Sequence, residues 1–195
     1  MPLTTLDETS ALIVSDLQKG IVGPPTARPA AEIINRTARL ARAFRERNLP
    51  VVLVNVSGRA PGRTDAGSPA FSPPPDWADL VPELEQQPGD YTITKQRWGA
   101  FLGTTLDETL RRRGVTQIFL TGISTSAGVE STARSAYDLG YHVAFVVDAI
   151  TDRSPEAHRH CVEVVFPRLG ETTRSDDVLQ FLQLKPASPG RPSAL

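Results

Sequence analysis

The sequence predicts an α/β fold in which a central, mostly parallel sheet carries helices on both faces. Three observations point there. Short continuous apolar runs recur along the chain, the pattern of strands buried on both sides. Between them lie segments whose apolar residues follow a helical period. At 195 residues and 39% apolar content, the chain has the length of one compact domain and the material for a sizeable core. A single domain is expected over 1–185, followed by a Pro/Ser-rich tail over 186–195.

Ala11-Leu-Ile-Val-Ser15 reads as the first strand. From Ala31 to Arg47 the residues Ile33, Ile34, Leu40, Ala41 and Phe44 form a helical stripe, which Asn48-Leu-Pro50 stops. Val51–Val56 is a second buried strand. Arg59 to Pro75, rich in Gly, Pro, Ser and Arg, has no period and reads as a long loop. A short helix near Ala78–Leu84 and a short strand near Tyr91–Thr94 follow. Thr104–Arg113 is helical, with Asp107 four residues before Arg111, and Gly114 ends it. Val115–Thr121 is a strand. Val129–Leu139 is a helix with Val129, Ala133, Ala136 and Tyr137 on one stripe and Gly140 just past its end. His142–Val147 is a strand, and Pro155–Phe166 a helix capped by Ser154 with proline in its first position. Thr172–Thr173 makes a brief last strand and Asp176–Leu184 a terminal helix.

Composition removes several function classes. The 21 Lys+Arg nearly cancel the 22 Asp+Glu, leaving a formal −1, so there is no basic footprint for a nucleic-acid backbone. No apolar run approaches the roughly 20 residues of a membrane span, and Met1–Ser10 lacks the basic and apolar regions of a signal peptide. The one cysteine, Cys161, cannot staple the fold, which suits a reducing, cytoplasmic setting. Lysine is scarce: only Lys19, Lys95 and Lys185 occur.

In a parallel sheet covered on both faces, ligands bind outside the carboxyl ends of the strands. That rule selects Asp16-Leu-Gln18, Asn55–Ser57, Lys95, Gly122–Gly128 and Asp148. Asp16, closing a buried strand, is either a loop cap or a desolvated acid with a raised pKa. Lys95 is either a snorkelling surface lysine or the partner of that acid. Gly122-Ile-Ser-Thr-Ser-Ala-Gly128 joins a strand to a helix start, whose unsatisfied N–H groups suit a carboxylate, a phosphate or a developing oxyanion. The bland alternative is an ordinary Gly/Ser turn. The segment is neither a P-loop nor a Gly-x-Ser-x-Gly nucleophile elbow.

Ile13-Val-Ser-Asp16-Leu-Gln18, Thr94-Lys-Gln-Arg-Trp-Gly-Ala-Phe101 and Leu120-Thr-Gly-Ile-Ser-Thr-Ser-Ala-Gly-Val-Glu-Ser-Thr-Ala-Arg134 together resemble the three signature segments of the isochorismatase-like (cysteine hydrolase) superfamily. The resemblance runs from about Leu12 to Leu182. It implies a three-layer α/β/α Rossmann-like fold, a homo-oligomer, and an Asp–Lys–Cys triad whose first two members match Asp16 and Lys95. Gly128 stands in the cysteine slot. Amidase members need that thiolate for an acyl intermediate, so the resemblance argues against their chemistry here. Isochorismatases proper also carry glycine there and hydrolyse a vinyl ether. Their Asp protonates the methylene carbon and water attacks the oxocarbenium-like centre. The Ser-Thr-Ser-Ala-Gly run differs from the Ala-His-Ile-Gly run of those enzymes. The resemblance also places a cis peptide at Ile123–Ser124, aiming the Ser124 N–H at the site.

The expected catalytic pair is therefore Asp16 and Lys95. The expected substrate-binding and oxyanion set is Gln18, Asn55, Arg97, Trp98, Ser124 and Gly128. Arg97 is a carboxylate clamp or a surface ion-pair former. Trp98 is a pocket wall or a core aromatic, and Arg59 and Arg63 are further anion contacts. Cys161, spaced with Ala157, Val164 and Val165, reads as a core residue. His158 and His160 point apart, and the metal-binding Asp/His cluster of nicotinamidases has no counterpart near Asn55-Val-Ser-Gly58, so neither metal nor cofactor is expected. The expected function is hydrolysis of a small, anionic substrate with Asp16 as general acid and water as nucleophile. The alternatives are a silent small-molecule-binding pseudoenzyme and an amidase using Ser126.

Overall fold

Alternating apolar runs and amphipathic segments become a six-stranded sheet between two helical layers, in a computed structural model that describes residues 3–65 and 72–184. The strands are β1 (Ser10–Ser15), β2 (Val51–Val56), β3 (Tyr91–Lys95), β4 (Gln117–Ile123), β5 (His142–Thr151) and β6 (Glu171–Thr173). The helices are α1 (Lys19–Val22), α2 (Ala30–Glu46), α3 (Leu106–Arg112), α4 (Glu130–Asp138), α5 (Pro155–His160) and α6 (Ser175–Leu184). The sheet order is β3-β2-β1-β4-β5-β6 and every strand pairing is parallel. The strand order reverses between β1 and β4, the switch point outside whose carboxyl ends open α/β sheets bind ligands.

Strand alternation divides the core in two. Ala11, Ile13, Val52, Val54 and Ile93 pack with Leu106 and Leu110 of α3 and Ala133 and Ala136 of α4. Leu12, Val14, Val51 and Leu53 pack on the other face with Ile33, Leu40 and Phe44 of α2 and Val178 and Leu182 of α6. The helix stops are local. Asn48, in the left-handed region (φ 54°), ends α2 while Leu49 N–H donates to Phe44 O at 2.9 Å. Gly114 and Gly140 end α3 and α4 in the same way, as expected. Ser154 Oγ accepts from Ala157 N–H and caps α5.

Several expectations need correction. β5 continues to Thr151, so Asp148 lies within it and not after it. A polar residue inside a strand reads as its end when its partners are distant in sequence. The helix expected near Ala78–Leu84 shrinks to a 3₁₀ turn over Pro82–Leu84. The helix that begins at Pro155 passes through a π turn at Cys161–Val165 and a 3₁₀ turn at Phe166–Arg168. Its i→i+5 bonding rotates the faces, so Cys161 and Phe166 are buried but Val164 is 50% exposed. Tyr137 leaves the stripe kept by Ala133 and Ala136 and is 54% exposed. The expected tail and part of the long loop (66–71) lie outside the described residues.

Candidate active site

Along β1, Ser15 shares the Ala11/Ile13 face, and along β3 Lys95 shares the Ile93 face. These are the same face of the sheet. A regular strand would turn Asp16 to the opposite one. Asp16 instead adopts φ 53°, in the left-handed region that short polar side chains tolerate best after glycine. This break in alternation puts two consecutive side chains, Ser15 and Asp16, on the α4 side of the sheet.

There Lys95 Nζ donates to Asp16 Oδ2 at 2.7 Å and to the Trp98 carbonyl at 2.6 Å. Ser15 Oγ donates to the same Oδ2 at 3.2 Å. The other carboxyl oxygen, Oδ1, is buried and has no hydrogen-bond partner among the described residues. Asp16 is 4% exposed and Lys95 2%. Burial raises the Asp16 pKa and outweighs the lowering by the Lys95 charge and by the bonds from Lys95 and Ser15. The pair thus combines a carboxyl group biased toward its protonated form with a cation that accommodates the carboxylate left after proton transfer.

β4 delivers the third part. Gly122, at φ 113°, pairs with Ser15, and a Cβ there would sit 1.9 Å from the Ser15 carbonyl oxygen. Glycine is what allows β4 this close. The chain then passes the cis peptide Ile123–Ser124 and a π turn over Thr125–Val129 before entering α4. Gly128 in that turn faces the pair. A Cβ on it would lie 2.6 Å from Asp16 Oδ2, 2.9 Å from Ser15 Oγ and 3.2 Å from Lys95 Nζ. The volume that a side chain at 128 would need is taken by the acid and its two donors.

A family model, the isochorismatase domain, matches residues 10–177. The chain belongs to the isochorismatase family. YwoC of Bacillus subtilis (strain 168), named an uncharacterized isochorismatase family protein, is 41% identical over 180 residues, covering 89% of this chain and 94% of that one. The isochorismatase of the same organism is 31% identical over 193 residues, 95% of this chain and 62% of that protein. A solved isochorismatase family structure from Burkholderia thailandensis is 42% identical with a TM-score of 0.82, covering 92% of this chain and 98% of that one. Other relatives are named ureidoacrylate amidohydrolase, so the isochorismatase family holds hydrolases of more than one kind.

Of the remaining expected residues, Trp98 meets the pair through its carbonyl. Gln18 is fully buried, and its amide is spent on the sheet edge: Nε2 donates to the Val56 and Trp77 carbonyls, and Oε1 accepts from Val56 N–H. These bonds tie Gln18 to β2 and to the 77–80 segment across the strand ends. Asn55 Nδ2 donates to the Ala78 carbonyl, and its Oδ1 is buried with no hydrogen-bond partner among the described residues. Its strand position puts Asn55 on the face opposite Lys95. Arg97 is exposed, and Trp98 is 69% exposed, which removes the core reading for it. Arg59 and Arg63 are exposed on the long loop. Ser124 O accepts from Ala127 and Val129 N–H, while Asp152 Oδ2 accepts from Ser126 N–H and Oγ–H. Much of the helix-start cradle expected for an anion is therefore occupied internally. His158 meets Thr125 Oγ1 at 2.9 Å through Nδ1 and does not meet Ser126.

Sequence reasoning missed Ser15 and Asp152. A polar residue ending an otherwise apolar strand directly before Asp16 was the available signal for Ser15. The Trp98 carbonyl had none, because any residue type supplies one.

Proposed function

We propose that this isochorismatase-family protein hydrolyses a small, anionic vinyl ether, with Asp16 as general acid and water as nucleophile. The observation that carries the reading is the missing side chain at Gly128, directly beside the buried Asp16–Lys95 pair. Residue 128, set against Asp16 Oδ2, Ser15 Oγ and Lys95 Nζ, is a glycine, so a thioester route has no nucleophile there.

The residues suit the alternative route. Protonated Asp16 donates from Oδ1 to the methylene carbon of the enol ether. The C=C pair forms the new C–H bond and leaves an oxocarbenium-like centre at the ether carbon. Water adds there, and the proton it releases returns to Asp16. The resulting hemiketal collapses to a ketone and an alcohol. Lys95 and Ser15, both on Oδ2, stabilise the transient carboxylate. Exposed Arg97 on the segment after β3 is the cation for the substrate's own carboxylate.

The test is pyruvate release from isochorismate, run beside a panel of other vinyl ethers and small amides. Turnover of a vinyl ether, abolished in Asp16→Asn, is the expected result. Activity that survives Asp16→Asn, or hydrolysis confined to amides, overturns the assignment. Tight binding without turnover of any panel member identifies a binding protein instead.

A further inference from the structure

Ser15 has no role in the three-residue pattern that led to the site, yet it touches the acid directly. Its Oγ, 1% exposed at residue level, donates to Asp16 Oδ2 at 3.2 Å, beside the 2.7 Å bond from Lys95 to the same oxygen. Both donors converge on one carboxyl oxygen and none of the described residues reaches the other. A protonated carboxyl has one O–H and one carbonyl-like oxygen, and the oxygen that accepts two hydrogen bonds is the carbonyl-like one. The proton is thereby assigned to Oδ1.

We propose that Ser15 is a positioning residue: with Lys95 it occupies Oδ2 of Asp16 and so places the transferable proton on Oδ1. The inference rests on the reading of Asp16 as the general acid. It goes beyond that reading in naming the donating atom and the group that selects it. Ser15 Oγ also lies 2.9 Å from where a Cβ on residue 128 would be, so it shares in closing that slot. Lys95 is the charged group that bears on Asp16 in this arrangement, so any change in Asp16 titration on altering Ser15 is read against a constant Lys95.

The test needs no substrate. Asp-selective ¹³C labelling of the carboxyl carbons, with the Asp16 signal assigned by its loss in Asp16→Asn, gives the Asp16 titration directly. Ser15→Ala removes one donor to the ionised form, and the midpoint moves upward by about half to one pH unit, the size of one hydrogen bond. Ser15→Thr, which keeps the hydroxyl, restores it. With any vinyl ether that is turned over, Ser15→Ala lowers kcat by about tenfold at unchanged KM, again restored by threonine. A Ser15→Ala protein that keeps the wild-type fold and the wild-type Asp16 titration overturns the proposal. So does a covalent adduct on Ser15 found by mass spectrometry during turnover, which makes it a nucleophile. Loss of the general-acid reading shows separately, as activity retained in Asp16→Asn, and leaves the titration result standing.

Discussion

Asp16 and Asp148 are equally buried, at 4% and 5% exposed, and each has a cation beside it. Asp148 is saturated. Its Oδ1 accepts from Ser175 N–H and its Oδ2 from Ser175 Oγ–H, both at 2.7 Å, and Arg36 Nε stands 3.6 Å from Oδ2. It caps α6 and pins that helix to β5. Asp16 receives two donors on one oxygen and none from the described residues on the other. Asp152 resembles Asp148, with Ser126 on one oxygen and Ser154 N–H on the other. Burial alone does not distinguish these acids; the unspent oxygen of Asp16 does. A buried polar atom left without a partner costs free energy, so its persistence asks for a reason.

The contrast breaks most visibly by removing the acid function at each position. Asp16→Asn lowers kcat on a vinyl ether substrate by about 10²–10⁴-fold, the usual worth of a positioned general acid. Asp148→Asn leaves kcat within a few-fold but lowers the unfolding free energy by about 1–3 kcal/mol, because an amide N–H₂ turned toward Ser175 leaves a buried donor unmet. Steady-state rates and urea melts on both variants decide it. Equal losses of activity at the two positions would erase the distinction.

Next in size is Gly128→Cys, which puts a thiol in the slot that the sequence resemblance assigns to a cysteine. Its Cβ must displace Asp16 Oδ2 from 2.6 Å, and a misplaced acid of this kind loses about 10²-fold in rate. No amide hydrolysis appears in exchange. An iodoacetamide-sensitive amidase activity in the variant would show that the slot has room for a working nucleophile.

The acid also shapes stability against pH. Burial raises the Asp16 pKa in the folded protein, while in the unfolded chain it stays near its ordinary 3.8. Between those values the folded state holds more protons than the unfolded one. Asp16 therefore contributes most at the acid end, below about the unfolded value, and its contribution is lost as pH rises through the folded value. In Asp16→Asn this downward slope of urea-derived stability disappears. In wild type the rate limb that needs protonated Asp16 falls over the same window.

The sequence disclosed the strands, because buried parallel strands are continuous apolar runs, and it disclosed Asp16, Lys95 and Gly128, because all three stand at strand or turn ends. It did not disclose the left-handed turn at Asp16 that brings the first two together. Nor did it show what the side-chain amides of Gln18 and Asn55 bond to. Their partners are the carbonyls of Trp77 and Ala78, tens of residues away, and a backbone acceptor leaves no mark in residue type. The π turns escaped for a related reason: a helix that changes its bonding step keeps the same apolar residues and only rotates them.

The smallest expected effect comes from the cysteine the chain does possess. Cys161 donates its S–H to Glu130 Oε2 at 3.0 Å, and burial, aided by the Glu130 bond and charge, pushes its pKa up to about 12. A thiol held that far from ionisation has almost no thiolate at neutral pH and is a poor nucleophile. The chain thus presents two sulfur positions of opposite kind: residue 128, beside the acid and its lysine, has no thiol, and residue 161 has a thiol shielded from chemistry. Cys161→Ala accordingly leaves kcat and KM unchanged and lowers stability by about 1 kcal/mol through lost packing. Iodoacetamide labels native Cys161 far more slowly than the urea-unfolded thiol, and labelling does not track activity. Rapid alkylation of the native protein with parallel loss of turnover would move the nucleophile to Cys161 and undo the reading of Gly128.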